Sequence, residues 1–437
     1  MKIRNLFILF TAGLLLITQH SCQSDNPIIE EGPVSSVTDG TDDPNEIKTF
    51  NEGEVIQMED ILKEQGLVVE ESPEDMETRA LGIIFTNPCV RALKVTCKTP
   101  HPSQAGVNVD MSGVLLVPNK KKAGHRLLVV APGTRTSNDE RPSKMFKNMT
   151  LYSWTSNGWV KNNLFPYVWL AQAKGYTILI PDYLGFGDSF GQCVNPYLET
   201  KPMVNSIIDL IKAAQVQLTE KGYKYKKDIA LTGYSQGGFI AASVARELEL
   251  NPSHGMGVNF LYIGGAFNSL KKFTDAIRSS GSLKASYLLP YALNGFKNNG
   301  YPQLNVSDIL QEPYATQLPD VFNGTHNANY VNAKFPLKIN QLYTEKFIKN
   351  LDTDPDMAYI NQMLDENSLK PWKNKCRFVI THGVKDGLVY YDHAKSYASE
   401  HNKDGGKVTF RPTTGNHGDA FSPHLIQGFL LYFPYYN

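Results

Sequence analysis

The residues best equipped for chemistry in this 437-residue chain lie at Gly233-Tyr234-Ser235-Gln236-Gly237. A short apolar run, Ile229 to Thr232, leads into them, and Ile240, Val244 and Leu248 recur behind them at helical spacing. Strand, sharp turn and helix together describe a nucleophile elbow, in which the turn pushes the serine hydroxyl out at the end of a sheet. Gly233 and Gly237 let strand and helix close on each other with no side chain between them. The N–H of Gln236, at the start of the helix, is aimed at a developing oxyanion. The five residues alone also fit a glycine-rich turn with a bystander serine, and the flanking elements separate the two readings.

A serine hydroxyl attacks a carbonyl only once a base takes its proton. The base is commonly a histidine, held in the right tautomer by a buried carboxylate. On a sheet with an elbow, acid and then histidine follow later strands. Asp386, in His382-Gly383-Val384-Lys385-Asp386-Gly387, comes just after the apolar strand Arg377 to Thr381 and is the expected acid. Asp392 is the second candidate, at a helix start where an N-cap role competes. His417, in Gly415-Asn416-His417-Gly418, comes just after the last strand, Val408 to Arg411, and is the expected base. His401 precedes that strand, and His424 lies near a helix start and is expected at the surface. A second oxyanion donor is expected from Pro132-Gly133-Thr134-Arg135: the N–H of Thr134, with Gly133 next, since Pro132 has none to give.

The elements that must hold these groups follow from hydrophobic patterning. Ala92 to Lys98 and Val109 to Val117 read as antiparallel lead-in strands. Arg126 to Ala131, Tyr176 to Pro181, Ile229 to Thr232, Phe260 to Gly264, Arg377 to Thr381 and Val408 to Arg411 read as strands. Val204, Ile207, Ile208 and Ile211 mark a helix, and Leu425 to Phe433 a closing one. Short apolar strands alternating with helices predict an α/β fold with a mostly parallel central sheet covered on both faces. Reactive groups then belong at the carboxyl ends of the strands. The alternation stops over about 267–374, where helical patches and aromatic-proline segments (Tyr287 to Tyr291, Tyr301-Pro302, Pro313-Tyr314, Phe322) suggest an inserted helical cap, an apolar roof for substrate. Tyr152, Trp154, Trp159, Phe165, Tyr167 and Trp169 form a second aromatic cluster, either a pocket wall or core packing.

Charge is balanced, with 43 basic and 43 acidic residues, so nothing steers the whole protein to nucleic acid. Lys2 and Arg4 before the apolar run Leu6 to Ile17 read as a signal peptide over 1–21, with Cys22 where a bacterial lipoprotein signal places its acylated cysteine. A lipid anchor of this kind holds a protein on a membrane without spanning it. Residues 22–78 are polar and acidic and read as a flexible tether, with a short helix and strand within Val55 to Val69. The folded domain is then 79–437. The expected place is the bacterial cell envelope. Cys89, Cys97, Cys193 and Cys376 permit disulfides in an exported protein; Cys89 and Cys97, near in sequence, are the expected pair, and buried free thiols are the competing reading. No spacing reads as a metal site.

Taken together, Gly-Tyr-Ser235-Gln-Gly-Gly, Pro-Asp182-Tyr-Leu-Gly-Phe-Gly-Asp-Ser, Asn195-Pro-Tyr-Leu, His382-Gly-Val-Lys-Asp386 and Asn416-His417 resemble the α/β-hydrolase superfamily. Within it the chain is similar to the secreted esterase/lipase branch of fungal secretory lipases and their bacterial relatives. The resemblance covers roughly Leu81 to Asn437. It implies acylation of Ser235 by a small-molecule or lipid ester and release by water, with Asp386 and His417 as partners and no cofactor. It implies a structural role for Asp182. Many relatives carry His-Gly at the oxyanion turn where this chain has Pro132-Gly133. Acyl transfer or peptide hydrolysis by the same three residues, and a non-catalytic binding lipoprotein on a hydrolase scaffold, are the competing functions.

Overall fold

A computed structural model describes residues 55–56, 90–118, 126–147, 167, 170–171 and 176–433. The signal sequence, Cys22, Cys89 and all of the second aromatic cluster except Tyr167 lie outside them. The described strands are β1 (Val55–Ile56), β2 (Val90–Pro100), β3 (Asn108–Pro118), β4 (Leu127–Ala131), β5 (Thr177–Pro181), β6 (Ile229–Tyr234), β7 (Val258–Gly264), β8 (Arg377–Gly383) and β9 (Val408–Thr413). They form one sheet in the order β1-β2-β3-β5-β4-β6-β7-β8-β9. β1, β2, β3 and β5 pair antiparallel, and every pairing from β5 across to β9 is parallel.

The central strands are continuous apolar runs because both faces of the sheet are covered. Side chains alternate across a strand. In β4, Leu127 and Val129 join one buried cluster while Leu128 and Val130 join the other. On the first face lie the helices α1 (Thr200–Glu220) and α2 (Gln236–Leu250). Met203, Val204, Ile207, Ile208 and Ile211 form the buried stripe of α1, one or two per turn. The second face is closed by Tyr167, Leu170, Leu425, Phe429 and Phe433, with Tyr167 edge-on to Phe429 at 5.9 Å between ring centres. For this one residue of the aromatic cluster, core packing is the outcome.

Between β7 and β8 the chain is helical. It runs through α3 (Leu270–Ser279), α4 (Leu288–Asn298), four short α-helices with two 3-10 turns among them, and α5 (Ala358–Glu366) before returning to the sheet. Beyond β8 come α6 (Tyr391–Lys403) and α7 (Phe421–Gln427), the latter running on into a π-helical turn, Gly428–Tyr432. The helical segment is tied to the sheet by a stack of rings. Tyr197 lies on Tyr291 at 4.3 Å, Tyr291 on Phe322 at 4.7 Å, and Phe322 on Phe335 at 5.7 Å, all within 15° of parallel. The backbone of Asn138 also bonds Gly324 (2.7 Å).

Two expectations need correction. Cys97, Cys193 and Cys376 are free thiols, so Cys97 is not paired with Cys89. Burial, and then the nearby carboxylates Asp209 and Asp110, push the Cys97 thiol up to about 12. Asp392 is not an N-cap: it falls in the first turn of α6, and Tyr390 occupies the cap.

Candidate active site

The geometry starts at the junction of β6 and α2. Ser235 has φ 60° and ψ −124°, a left-handed backbone that a residue with a Cβ enters only under constraint. Such a conformation is unfavourable by roughly 1–3 kcal/mol and persists because its surroundings impose it. Those surroundings are glycines. A Cβ on Gly233 would sit 2.2 Å from the Gly237 carbonyl oxygen, and one on Gly237 would sit 2.0 Å from the Ala131 oxygen and 2.6 Å from that of Pro132. Strand, helix and the turn after β4 therefore touch backbone to backbone. The Ser235 N–H donates to the Gly264 carbonyl (2.9 Å), which fixes the turn against β7.

His417 Nε2 lies 3.0 Å from Ser235 Oγ, and its Nδ1 lies 2.7 Å from Asp386 Oδ2. A carboxylate accepts, so Nδ1 carries the proton and Nε2 is left to accept from the serine hydroxyl. Asp386 Oδ1 accepts from the N–H groups of Leu388 and Val389, both at 2.9 Å. The three side chains come from three different loops at the carboxyl ends of β6, β8 and β9. The last two loops are pinned together: Val384 N–H bonds the Thr413 carbonyl (2.9 Å) and Lys385 N–H bonds that of Gly415 (3.0 Å). Burial alone would raise the Asp386 carboxyl, but hydrogen bonds and charge from His382 and His417 outweigh it and hold the group well below the usual carboxylate range. It is therefore an anion throughout the neutral range.

Two residues at this junction escaped the sequence reading. His382 is fully buried, with Nε2 2.6 Å from the Val389 carbonyl and 3.2 Å from Asp386 Oδ2. Both of those atoms accept, so Nε2–H is shared between them, and His382 holds the same carboxylate oxygen, Oδ2, that His417 engages. Tyr234 donates its hydroxyl to the His417 carbonyl (2.7 Å), holding the backbone that carries the imidazole. Each lies inside a motif already singled out, but nothing in spacing says that a neighbour of the serine reaches a loop far down the chain.

The other histidines are placed elsewhere. His424 is buried, not at the surface: its Nδ1 is 2.7 Å from Thr381 Oγ1 and its ring stacks on Tyr262 at 4.5 Å. Desolvation lowers its pKa to about 3. His401 is buried against Trp372 and Asn374, and burial brings it down to about 4. Asp182 is fully buried, accepting from Ser112 Oγ (2.6 Å) and the Ser143 N–H (2.8 Å) away from the serine–histidine pair.

The turn after β4 is held by tyrosines. Tyr183 donates its hydroxyl to the Pro132 carbonyl (2.7 Å), and Tyr291 donates to the Arg135 carbonyl (3.0 Å). The Tyr197 hydroxyl is 2.9 Å from Thr134 Oγ1. Gly133 and Thr134 are thus bracketed on both sides, beside Gln236 at the start of α2. The arrangement is chemically equipped to remove a proton from Ser235 and to stabilise the imidazolium that results.

A family model for secretory lipases matches residues 164–429, more than half of the chain. No curated protein sequence matches it. Among solved structures it is similar to a Legionella pneumophila protein described only as a hydrolase by inference (20% identity, TM-score 0.68, covering 79% of this chain and 89% of that one). It is similar to the rice cell wall degrading esterase LipA of Xanthomonas oryzae (21% identity, TM-score 0.66, 80% and 92%). It is also similar to Candida antarctica lipase A (17% identity, TM-score 0.57, 77% and 74%). These likenesses identify the fold as that of the α/β-hydrolases, and the family match goes further: the chain belongs to the secretory lipase family and is a carboxylic ester hydrolase.

Proposed function

We propose that the chain cleaves carboxylic esters through an acyl-enzyme on Ser235, with His417 as general base and then general acid, and Asp386 as the group that orients and stabilises it. The observation that carries this is the continuous contact Ser235 Oγ–His417 Nε2 (3.0 Å) and His417 Nδ1–Asp386 Oδ2 (2.7 Å). In the first half-reaction Ser235 Oγ bonds to the ester carbonyl carbon as its proton passes to Nε2. The tetrahedral oxyanion meets the N–H of Gln236 and one from the turn after β4, that of Thr134 or Gly133. Collapse expels the alcohol, which leaves with the proton from Nε2. Water, deprotonated by the same nitrogen, then releases the acid.

The same proposal places the protein outside the cytoplasm. Residues 1–21 act as a lipoprotein-type signal, Cys22 takes the lipid, and 22–78 tether the ester hydrolase to the bacterial cell envelope. Helices within 267–374 cap the carboxyl ends of the strands.

The test is hydrolysis of p-nitrophenyl esters from acetyl to palmitoyl by wild type and Ser235→Ala, with fluorophosphonate labelling of both. Loss of the nucleophile should lower turnover on the order of a million-fold and abolish labelling. A wild-type protein that neither turns over these esters nor takes the label would refute the catalytic assignment and leave a binding protein on a hydrolase scaffold.

A further inference from the structure

A cavity of about 480 Å³, lined by none of Ser235, Asp386 and His417, lies between the loop after β5 and the helical segment and falls in the size range of small-molecule sites. Its lining is unusual in two ways. Five asparagines and two glutamines face it, and no Asp, Glu, Lys or Arg is among the described residues that do. Aromatic rings supply much of the rest. Tyr291 and Phe322, from the ring stack, are buried in the wall, while Phe190 at the rim is 40% exposed. The Phe190 ring comes close to the backbone at Gly324, where a Cβ would sit 2.8 Å from it.

The amides at the mouth are oriented by their own bonds. Asn323 spends its side-chain oxygen on the N–H (2.9 Å) and hydroxyl (2.6 Å) of Thr325, so its NH2 remains to donate. Asn298 spends its NH2 on the Asn294 carbonyl (2.8 Å), so its oxygen remains to accept. Both residues are exposed. The site therefore offers an uncharged donor and an uncharged acceptor beside an aromatic face. A phosphate or carboxylate would find no Lys or Arg among the described lining residues, and His101, which also lines the cavity, already spends Nδ1 on the N–H groups of Ser103 and Gln104 (3.1 Å each) and has Nε2 3.2 Å from the Gln192 carbonyl; an alkyl chain would strand the amides. Vicinal hydroxyls, each both donor and acceptor, match the amide pair, and the C–H face of a pyranose matches the electron-rich face of the ring.

We propose that this cavity binds a neutral sugar residue. The binding claim stands on its own.

Saturation-transfer NMR tests it, using the full chain with Ser235→Ala to remove turnover, against methyl glycosides of glucose, galactose, mannose, xylose and N-acetylglucosamine. The same probes are run on that protein with Phe190→Ala or Asn298→Leu added, thermal melts checking that each folds. At least one glycoside should receive saturation, and the signal should fall at least fivefold in each folded variant. No transfer to any of the five, or a signal that stays within fivefold in a folded variant, overturns the site. Because hydrolysis is not read, this failure leaves the esterase assignment standing, and the ester assay can fail without touching the sugar site.

Discussion

Tyr291→Phe is the substitution that separates a positioned oxyanion turn from a merely folded one. The phenylalanine keeps the ring stack with Tyr197 and Phe322 and removes only the hydroxyl that donates to the Arg135 carbonyl at 3.0 Å. A lower bound on the effect is the net loss of one buried hydrogen bond, about 1 kcal/mol, with the orphaned carbonyl adding up to about 2 more. An upper bound is the loss of one oxyanion donor, about 2.7–4 kcal/mol or 10²–10³ in kcat. The turn keeps its other two tyrosine contacts, at Pro132 and Thr134, so it shifts without collapsing. The expected result is a fall in kcat of about 10- to 100-fold, or roughly 1.4–2.7 kcal/mol of transition-state stabilisation. KM for p-nitrophenyl butyrate should stay within about twofold. Affinity for a trifluoromethyl ketone, which forms the tetrahedral adduct, should fall in step with kcat/KM. A variant that melts earlier yet keeps kcat within twofold of wild type would refute the argument, for it would show that the hydroxyl contributes to stability alone.

Glu199 supplies a pH prediction. It is buried, and desolvation pushes its carboxyl up to about 8, against partial compensation by hydrogen bonds involving Gly300 and Asn299. The folded state then holds a proton that the unfolded chain, with a glutamate near 4.3, releases. Its stabilising contribution is full below about pH 4.3 and is lost as pH rises towards 8, and Glu199→Gln should flatten that part of the profile. Urea midpoints at pH 5, 6.5 and 8 check this, and equal slopes in both proteins would sink it. Cys22→Ala should move the protein from the membrane fraction to the soluble exported fraction of its native host. An unchanged distribution on fractionation would remove the anchor.

Several features of this fold are legible in the chain because they are local. A fully apolar run such as Leu127 to Ala131 can only be buried on both faces, and the elbow's glycines mark a place where backbone must meet backbone, as the 2.0 Å clearance at Gly237 makes plain. Asp386 and His417 could be chosen because a parallel sheet gathers the ends of its strands on one side. His424 shows the limit of that logic. Its sequence surroundings suggest an exposed helix start, and only the packing of α7 onto β7 and β8 buries it against Tyr262 and Thr381.

What the amino-acid order determined by itself was therefore the set of strands, the strained serine and the loops that must carry its partners, each a matter of residue type and spacing over a few neighbours. Tertiary structure alone decided which distant groups support them. Tyr234 reaches the His417 backbone, His382 shares its proton with the carboxylate, and three tyrosines from separate segments hold the turn after β4. The physical reason is reach. A hydrogen bond forms over about 3 Å and a few tens of degrees, and pattern along a chain has no access to positions of that accuracy until the whole core has packed.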